Sequence, residues 1–283
     1  MSDLLIQHPN LSAEQIDCVG QILARPPDRS GPGWARWRNQ VCSDALIETI
    51  EATAELDAEV VDPQLRLSHF RLAAFDMDST LITIECVDEL ADFAGRKAEV
   101  AAITEAAMRG ELADYDDSLR RRVALLEGLP VSVLQRVWDE RLRLSPGVER
   151  LLPALRSAGL KILLVSGGFT WFTERLSARL QIDFNRANAL ATRGGYLTGA
   201  LQGEIVNAEA KRQTLLDTCA HIGCRPDQAI AIGDGANDLL MMGAAGVSIA
   251  YRAKPRVRSE TRHAINYCGL DAVLNLFGAS EHE

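Results

Sequence analysis

No Cys-x-x-Cys pair occurs in this chain, although it carries six cysteines: Cys18, Cys42, Cys86, Cys219, Cys224 and Cys268. Cys219 and Cys224 stand five apart. That spacing excludes the common zinc patterns and gives no dense disulfide framework, so free thiols in a reducing compartment are expected. The N-terminus lacks a basic stretch followed by an apolar one, so no secretory signal is read there. Runs of roughly 18 or more apolar residues are missing too, which argues against a membrane span and makes the cytoplasm the default location. Positive charge is short: 30 Lys and Arg stand against 39 Asp and Glu, a net charge of −9. Nucleic acid is therefore not an expected partner. Internal repeats and low-complexity tracts are lacking as well.

What is present is ordinary globular material. The 283 residues are 47% hydrophobic and 24% charged, enough for a proper core in one large or two modest domains. The first 65 or so residues differ in character from the rest. A turn-rich break at Arg25-Pro26-Pro27-Asp28-Arg29-Ser30-Gly31-Pro32-Gly33 precedes a helical segment through Ala45–Ile50, and Asp62-Pro63 reads as a boundary. This region shows no clear alternating strands and no legible motif.

From about Ser68 short apolar runs alternate with helical stretches. Phe70–Phe75, Lys161–Val165, Ala229–Ile232 and Val247–Ala250 read as buried strands. Continuous apolar strands between helices point to an α/β fold with a parallel sheet covered on both faces. Ligands of such sheets bind beyond the carboxyl ends of the strands. The polar clusters Asp76-Met77-Asp78-Ser79-Thr80, Ser166-Gly167-Gly168 and Gly233-Asp234-Gly235-Ala236-Asn237-Asp238 each follow a strand end. Between the first two strands lies an insertion of about residues 88–145. Leu119, Val123 and Leu126 recur there at helical spacing, which makes it a candidate lid or cap.

The clusters suit phosphoryl transfer. A carboxylate, Asp76, can attack phosphorus to form an acyl phosphate. A second acid, Asp78, can protonate the leaving oxygen and later deprotonate water. Asp234 and its glycine-rich loop offer oxygen ligands of the kind magnesium prefers. Ser166 and the amides beside it can cradle phosphoryl oxygens, and Lys211 can neutralise them. Singly, each cluster also reads as a turn, a cap or a surface lysine. Four of them in this order, three directly after apolar strands, are not independent accidents.

That ordered set resembles the haloacid dehalogenase superfamily, and within it the phosphoserine phosphatases, over about Phe70 to Ala253. Asp76–Ile82 with Glu85–Glu89 is similar to the first motif and its extension. Met108–Leu112 and Ser118–Val123 are similar to the cap; Val165–Phe169 and Gly233–Asp238 are similar to the later motifs. The resemblance implies a Rossmann-like core (residues 67–283) with a helical cap inserted after the first catalytic strand and a short N-terminal extension (residues 1–66).

The same resemblance implies roles. Asp76 is then nucleophile and metal ligand, and Asp78 is the acid/base, with its backbone carbonyl on the metal. Ser166, the Gly167 amide and Lys211 hold the phosphoryl group. Asp234 completes the Mg²⁺ ligands, with Asn237 near the substrate and Asp238 supporting the site from beside it. Glu85 takes the substrate ammonium and Arg122 its carboxylate, a pair that suits a zwitterion. The choice of Arg122 over Arg120 or Arg121 follows the motif alone. Met108 and Tyr115 line the pocket, where Tyr115 departs from a phenylalanine of some relatives. The implied reaction is Mg²⁺-dependent hydrolysis of O-phosphoserine, the last step of serine synthesis. Another phosphomonoester such as phosphothreonine, or phosphotransfer to an alcohol, is the alternative. A non-catalytic scaffold would be expected to have lost part of this set. A homo-oligomer is left open.

Overall fold

The computed structural model describes residues 1–108 and 114–277, the side chains of residues 107 and 108 apart. The chain opens with strand β1 (Ser2–Gln7), helix α1 (Ala13–Ile22), strands β2 (Arg29–Gly31) and β3 (Trp34–Gln40), helix α2 (Asp44–Ala54) and strand β4 (Asp57–Val61). The four strands form one antiparallel sheet in the order β2-β3-β1-β4, a β-α-β-β-α-β unit. Serines start both helices: Ser12 Oγ accepts from Gln15 N–H at 3.1 Å, and Ser43 Oγ from Leu46 N–H at 3.2 Å.

This sheet corrects the expectation of a region without clear strands. The reason lies in its packing. Leu4 and Ile6 of β1 face one apolar cluster with Ile50 and Trp37, while Leu5 between them faces the main core. A strand buried on both faces has no polar side to alternate.

The insertion carries α3 (Cys86–Phe93), α4 (Lys97–Met108), α5 (Tyr115–Ala124) and α6 (Ser132–Arg136). On α5, Leu119 and Val123 are buried, as is Leu126 just beyond it. The larger sheet holds β5 (Leu72–Phe75), β6 (Lys161–Phe169), β7 (Phe184–Arg193), β8 (Tyr196–Gln202), β9 (Ala229–Gly233), β10 (Val247–Tyr251) and β11 (His263–Ile265). Its order is β11-β10-β9-β5-β6-β7-β8, and every neighbouring pair is parallel except the β7–β8 hairpin. Helices α7 (Val148–Ser157), α8 (Thr170–Leu180), α9 (Ala208–Ile222), α10 (Leu239–Ala244) and α11 (Pro255–Ser259) complete the list.

The α/β class follows from burial on both sides of this sheet. Ala73, Phe75, Ile162 and Leu164 enter the core that α7 covers. Leu72, Ala74, Leu163 and Val165 enter the cluster under α9 and α10. Each fully buried Leu or Phe stabilises by roughly 1.5–3 kcal/mol, so the central strands anchor the site. Among the described residues no helix is long and apolar enough to cross a membrane.

The two sheets meet through acids of β4. Asp57 accepts from the N–H groups of Asn266, Tyr267 and Cys268 at 2.7, 3.1 and 3.3 Å. Glu59 accepts from Ala264 N–H at 2.7 Å and lies 2.8 Å from His263 Nδ1. These buried carboxylates satisfy amides at the edge strand β11 and just beyond it, where the larger sheet has no further strand to offer.

Candidate active site

β5 sits in the middle of the larger sheet, between β6 and β9. Loops leaving the carboxyl ends of these three strands must therefore converge. Asp76 follows β5 directly, and its N–H donates to Ile232 O at 3.0 Å. The chain then makes one irregular turn over Met77–Leu81, in which Ser79 takes φ 56°. A left-handed serine is uncommon; here its hydroxyl donates to Glu85 Oε1 at 2.6 Å, tying the turn to the start of α3.

Lys211 lies in the first turns of α9, whose N-cap Asn207 accepts from Ala210 N–H at 3.1 Å. The lysine is fully buried, and Nζ donates to Asp76 Oδ1 and to Asp238 Oδ1, both at 2.7 Å. Asp238 is itself fully buried and accepts from Gly235 N–H at 3.0 Å through its other oxygen. Burial alone would lower the lysine pKa, but Asp238 and Asp76 outweigh it, and the ammonium is held well charged.

Carboxylate oxygens of Asp76, Asp234 and Asp238 lie within 4.8 Å of one another. Burial and then Asp238 raise Asp76 to about 7, against the pull of Lys211. Burial, Asp76 and Asp238 raise Asp234 to about 8, although Thr80 Oγ1 donates to its Oδ1 at 2.8 Å. Three hard oxygen donors that repel one another fit a divalent cation such as Mg²⁺. Asp238, expected beside the metal ligands, has its carboxylate inside this group.

The Asp78 carboxylate points elsewhere. Its Oδ1 accepts from Cys86 N–H at 3.2 Å. A methyl group built on Gly168 would lie 2.5 Å from its Oδ2 and 2.6 Å from Met77 Cε. Burial, Glu85 and Asp76 hold Asp78 well above the usual carboxylate range, which suits an acid that must carry a proton at neutral pH.

β6 continues through Ser166-Gly167-Gly168 to Phe169, beyond the expected end at Val165. Its pairing with β7 is irregular between Val165 and Phe169, so the extended chain bends away there. Ser166 is buried and its Oγ accepts from Gly168 N–H at 2.8 Å. The Tyr115 hydroxyl closes over Gly167, where any Cβ would overlap it. Burial raises Tyr115 to about 12, so it stays a neutral donor.

Arg122, in the last turn of α5, has its Nε buried with no partner among the described residues. Its charge acts on Tyr115 and Asp88. Glu85 is exposed at the edge of the site, and Asn237 Oδ1 packs against Gly235. The Met108 side chain lies outside the described residues.

Asn188 carried no role in the sequence. It is buried on β7, donates through Nδ2 to Gly167 O at 2.7 Å, and accepts from Val206 N–H at 2.8 Å. It thus ties the glycine turn to the segment entering α9. A buried asparagine within the run Ala187-Asn188-Ala189-Leu190 was the available signal, since such a group needs partners. Thr80, which orients Asp234, stood inside a quoted motif without an assigned task.

A family model described as haloacid dehalogenase-like hydrolase matches residues 73–243. The chain is 58% identical over 234 residues to a phosphoserine phosphatase of a Polaromonas species, covering 81% of this chain and 99% of that one. A haloacid dehalogenase family hydrolase from Salmonella enterica superposes with a TM-score of 0.87 at 33% identity over 99% of both chains. The N-terminal sheet therefore lies inside that likeness. A substrate-bound phosphoserine phosphatase structure superposes with a TM-score of 0.69 at 35% identity, over 74% of this chain and 98% of that one.

Proposed function

The chain belongs to the haloacid dehalogenase-like hydrolases, and from that premise we propose that it hydrolyses O-phospho-L-serine to L-serine and phosphate, with Mg²⁺ and a phospho-aspartate on Asp76. The observation that carries this is the buried Asp76 at the end of β5, bonded at 2.7 Å to a fully buried Lys211. A nucleophile for phosphorus needs its own charge and that of the phosphate offset, and Lys211 is positioned for both.

In the first half-reaction an Asp76 oxygen bonds to phosphorus as the serine oxygen leaves. Asp78 gives that oxygen its proton. In the second half-reaction Asp78 takes a proton from water, which attacks the phospho-aspartate and frees Asp76. Ser166 and the Gly167 amide hold phosphoryl oxygens, and Asn188 keeps the Gly167 peptide in place. Asp76 and Asp234, with the Asp78 main-chain carbonyl, would hold the cation, and Asp238 lies within reach of it. When bound, Mg²⁺ supplies charge neutralisation and orients the phosphoryl group.

Serine as the leaving alcohol is supported by Arg122. Its buried Nε, without a partner among the described residues, would gain by meeting a substrate carboxylate. Glu85 is the anion available for the ammonium, with Met108 and Tyr115 along the pocket wall. The two relatives named as phosphoserine phosphatases support the same substrate.

Phosphate release with Mg²⁺ tests this across phosphoserine, phosphothreonine and phosphoethanolamine, with and without an acceptor alcohol. Phosphoethanolamine lacks the carboxylate, so its kcat/KM should fall by about 10- to 150-fold, the equivalent of a charged hydrogen bond of roughly 1.5–3 kcal/mol. Equal rates for the two substrates would remove Arg122 from recognition. Turnover by a folded Asp76→Asn variant would overturn the mechanism.

A further inference from the structure

Helix α9 ends in a glycine cap. Gly223 takes φ +71°, its N–H donates to Ala220 O at 3.2 Å, and Cys224 N–H donates to Cys219 O at 2.9 Å. This pair of bonds folds the chain back so that the residue after the glycine lies on the last turn of the helix. Two apolar side chains usually make that contact. Here both are cysteines, Cys219 on the last turn and Cys224 just past the glycine, joined through the backbone bond between them.

Both sulfurs belong to the apolar cluster under the larger sheet. Cys219 is buried within it, while Cys224 is half-buried and packs against it from the solvent side. Cys224 is therefore the member of the pair nearer to solvent, and Cys219 lies deeper.

We propose that Cys219 and Cys224 are a redox-active thiol pair that closes into an intramolecular disulfide when it meets a small disulfide oxidant such as oxidised glutathione. Cys224 loses its proton and its sulfur attacks one sulfur of the oxidant. The oxidant's S–S bond breaks, and one glutathione leaves as a thiolate that takes up a proton. Cys219 then loses its proton, attacks the Cys224 sulfur and expels the second glutathione. One disulfide is reduced and one is formed, and two protons pass from the cysteines to two glutathione thiols. Cys219 is buried and Cys224 only half-buried, which assigns the first attack to Cys224. The new bond would staple the last turn of the helix that carries Lys211 in its first turns.

The full chain is incubated in oxidised glutathione, quenched in acid, unfolded and alkylated, then analysed by mass spectrometry. Alkylatable thiols should fall from the six of the sequence to four, two being consumed. One peptide should retain Cys219 and Cys224 and be lighter by two hydrogens. Amide exchange at the C-terminal turn of α9 should slow in the oxidised protein. Cys224→Ser should leave Cys219 alkylatable under the same conditions, and reductant should restore six thiols to the wild type. Six thiols after oxidation would overturn the proposal. So would a stable glutathione adduct on Cys224 that never closes, or a disulfide that pairs other cysteines.

Discussion

Replacing Lys211 with methionine tests the centre of the site most directly. The lysine fills a fully buried position and bonds two carboxylates at 2.7 Å each, with the Asp76 side chain 8% exposed and that of Asp238 0%. Methionine keeps most of the volume and removes the charge, so packing loss is small. What remains is two buried carboxylates facing each other without a cation. Removing one partner of a buried pair costs about 3–5 kcal/mol. That loss should appear in full for the metal-free protein at pH 9, read from urea denaturation in EDTA.

The penalty should then shrink as pH falls. Lys211 is what restrains the rise of Asp76, so in the variant a carboxylate holds its proton to higher pH. Folding of the variant thus takes up about one more proton than folding of the wild type at alkaline pH. Each pH unit across the window in which only the folded variant holds that proton returns about 1.4 kcal/mol. kcat should drop by about a hundred- to a thousandfold, as for loss of one preorganised electrostatic group. A difference below about 1 kcal/mol at pH 9, or one that does not change with pH, would refute the reasoning.

Asp76 and Asp234, raised to about 7 and about 8, hold protons in the metal-free fold that they lack when unfolded. Metal-free stability should therefore fall as pH rises through 7–8, while Mg²⁺ affinity rises over the same range. Calorimetry in buffers of different ionisation heat should detect proton release on Mg²⁺ binding. Gly168→Ala puts a methyl 2.5 Å from Asp78 Oδ2 and should cut kcat about a hundredfold by displacing that carboxylate, measured by steady-state phosphate release. Gly167→Ala collides with the Tyr115 hydroxyl instead, so adding Tyr115→Phe should recover part of the lost kcat/KM, whereas it should not rescue Gly168→Ala. Asn188→Ala leaves Gly167 O and Val206 N–H without their partner. It should destabilise by about 1–3 kcal/mol in urea melts and weaken inhibition by inorganic phosphate.

The sequence by itself determined the layered α/β core and the order of its loops. Runs such as Ala229–Ile232 are apolar at every position because both faces of their strands are covered, and the acids stand where those runs stop. That information is local, so it survives in one dimension. The N-terminal sheet did not, because β1 and β4 bury both faces with mixed chemistry. Leu4–Ile6 carry no alternation, and Asp57 and Glu59 are buried only because β11 brings amides to them. The convergence at Asp76 is tertiary as well. Lys211, 135 residues away in the chain, reads as a surface lysine until α9 sets it under the carboxyl ends of β5 and β9. There Asp76 and Asp238 are buried, and a fixed ammonium neutralises them.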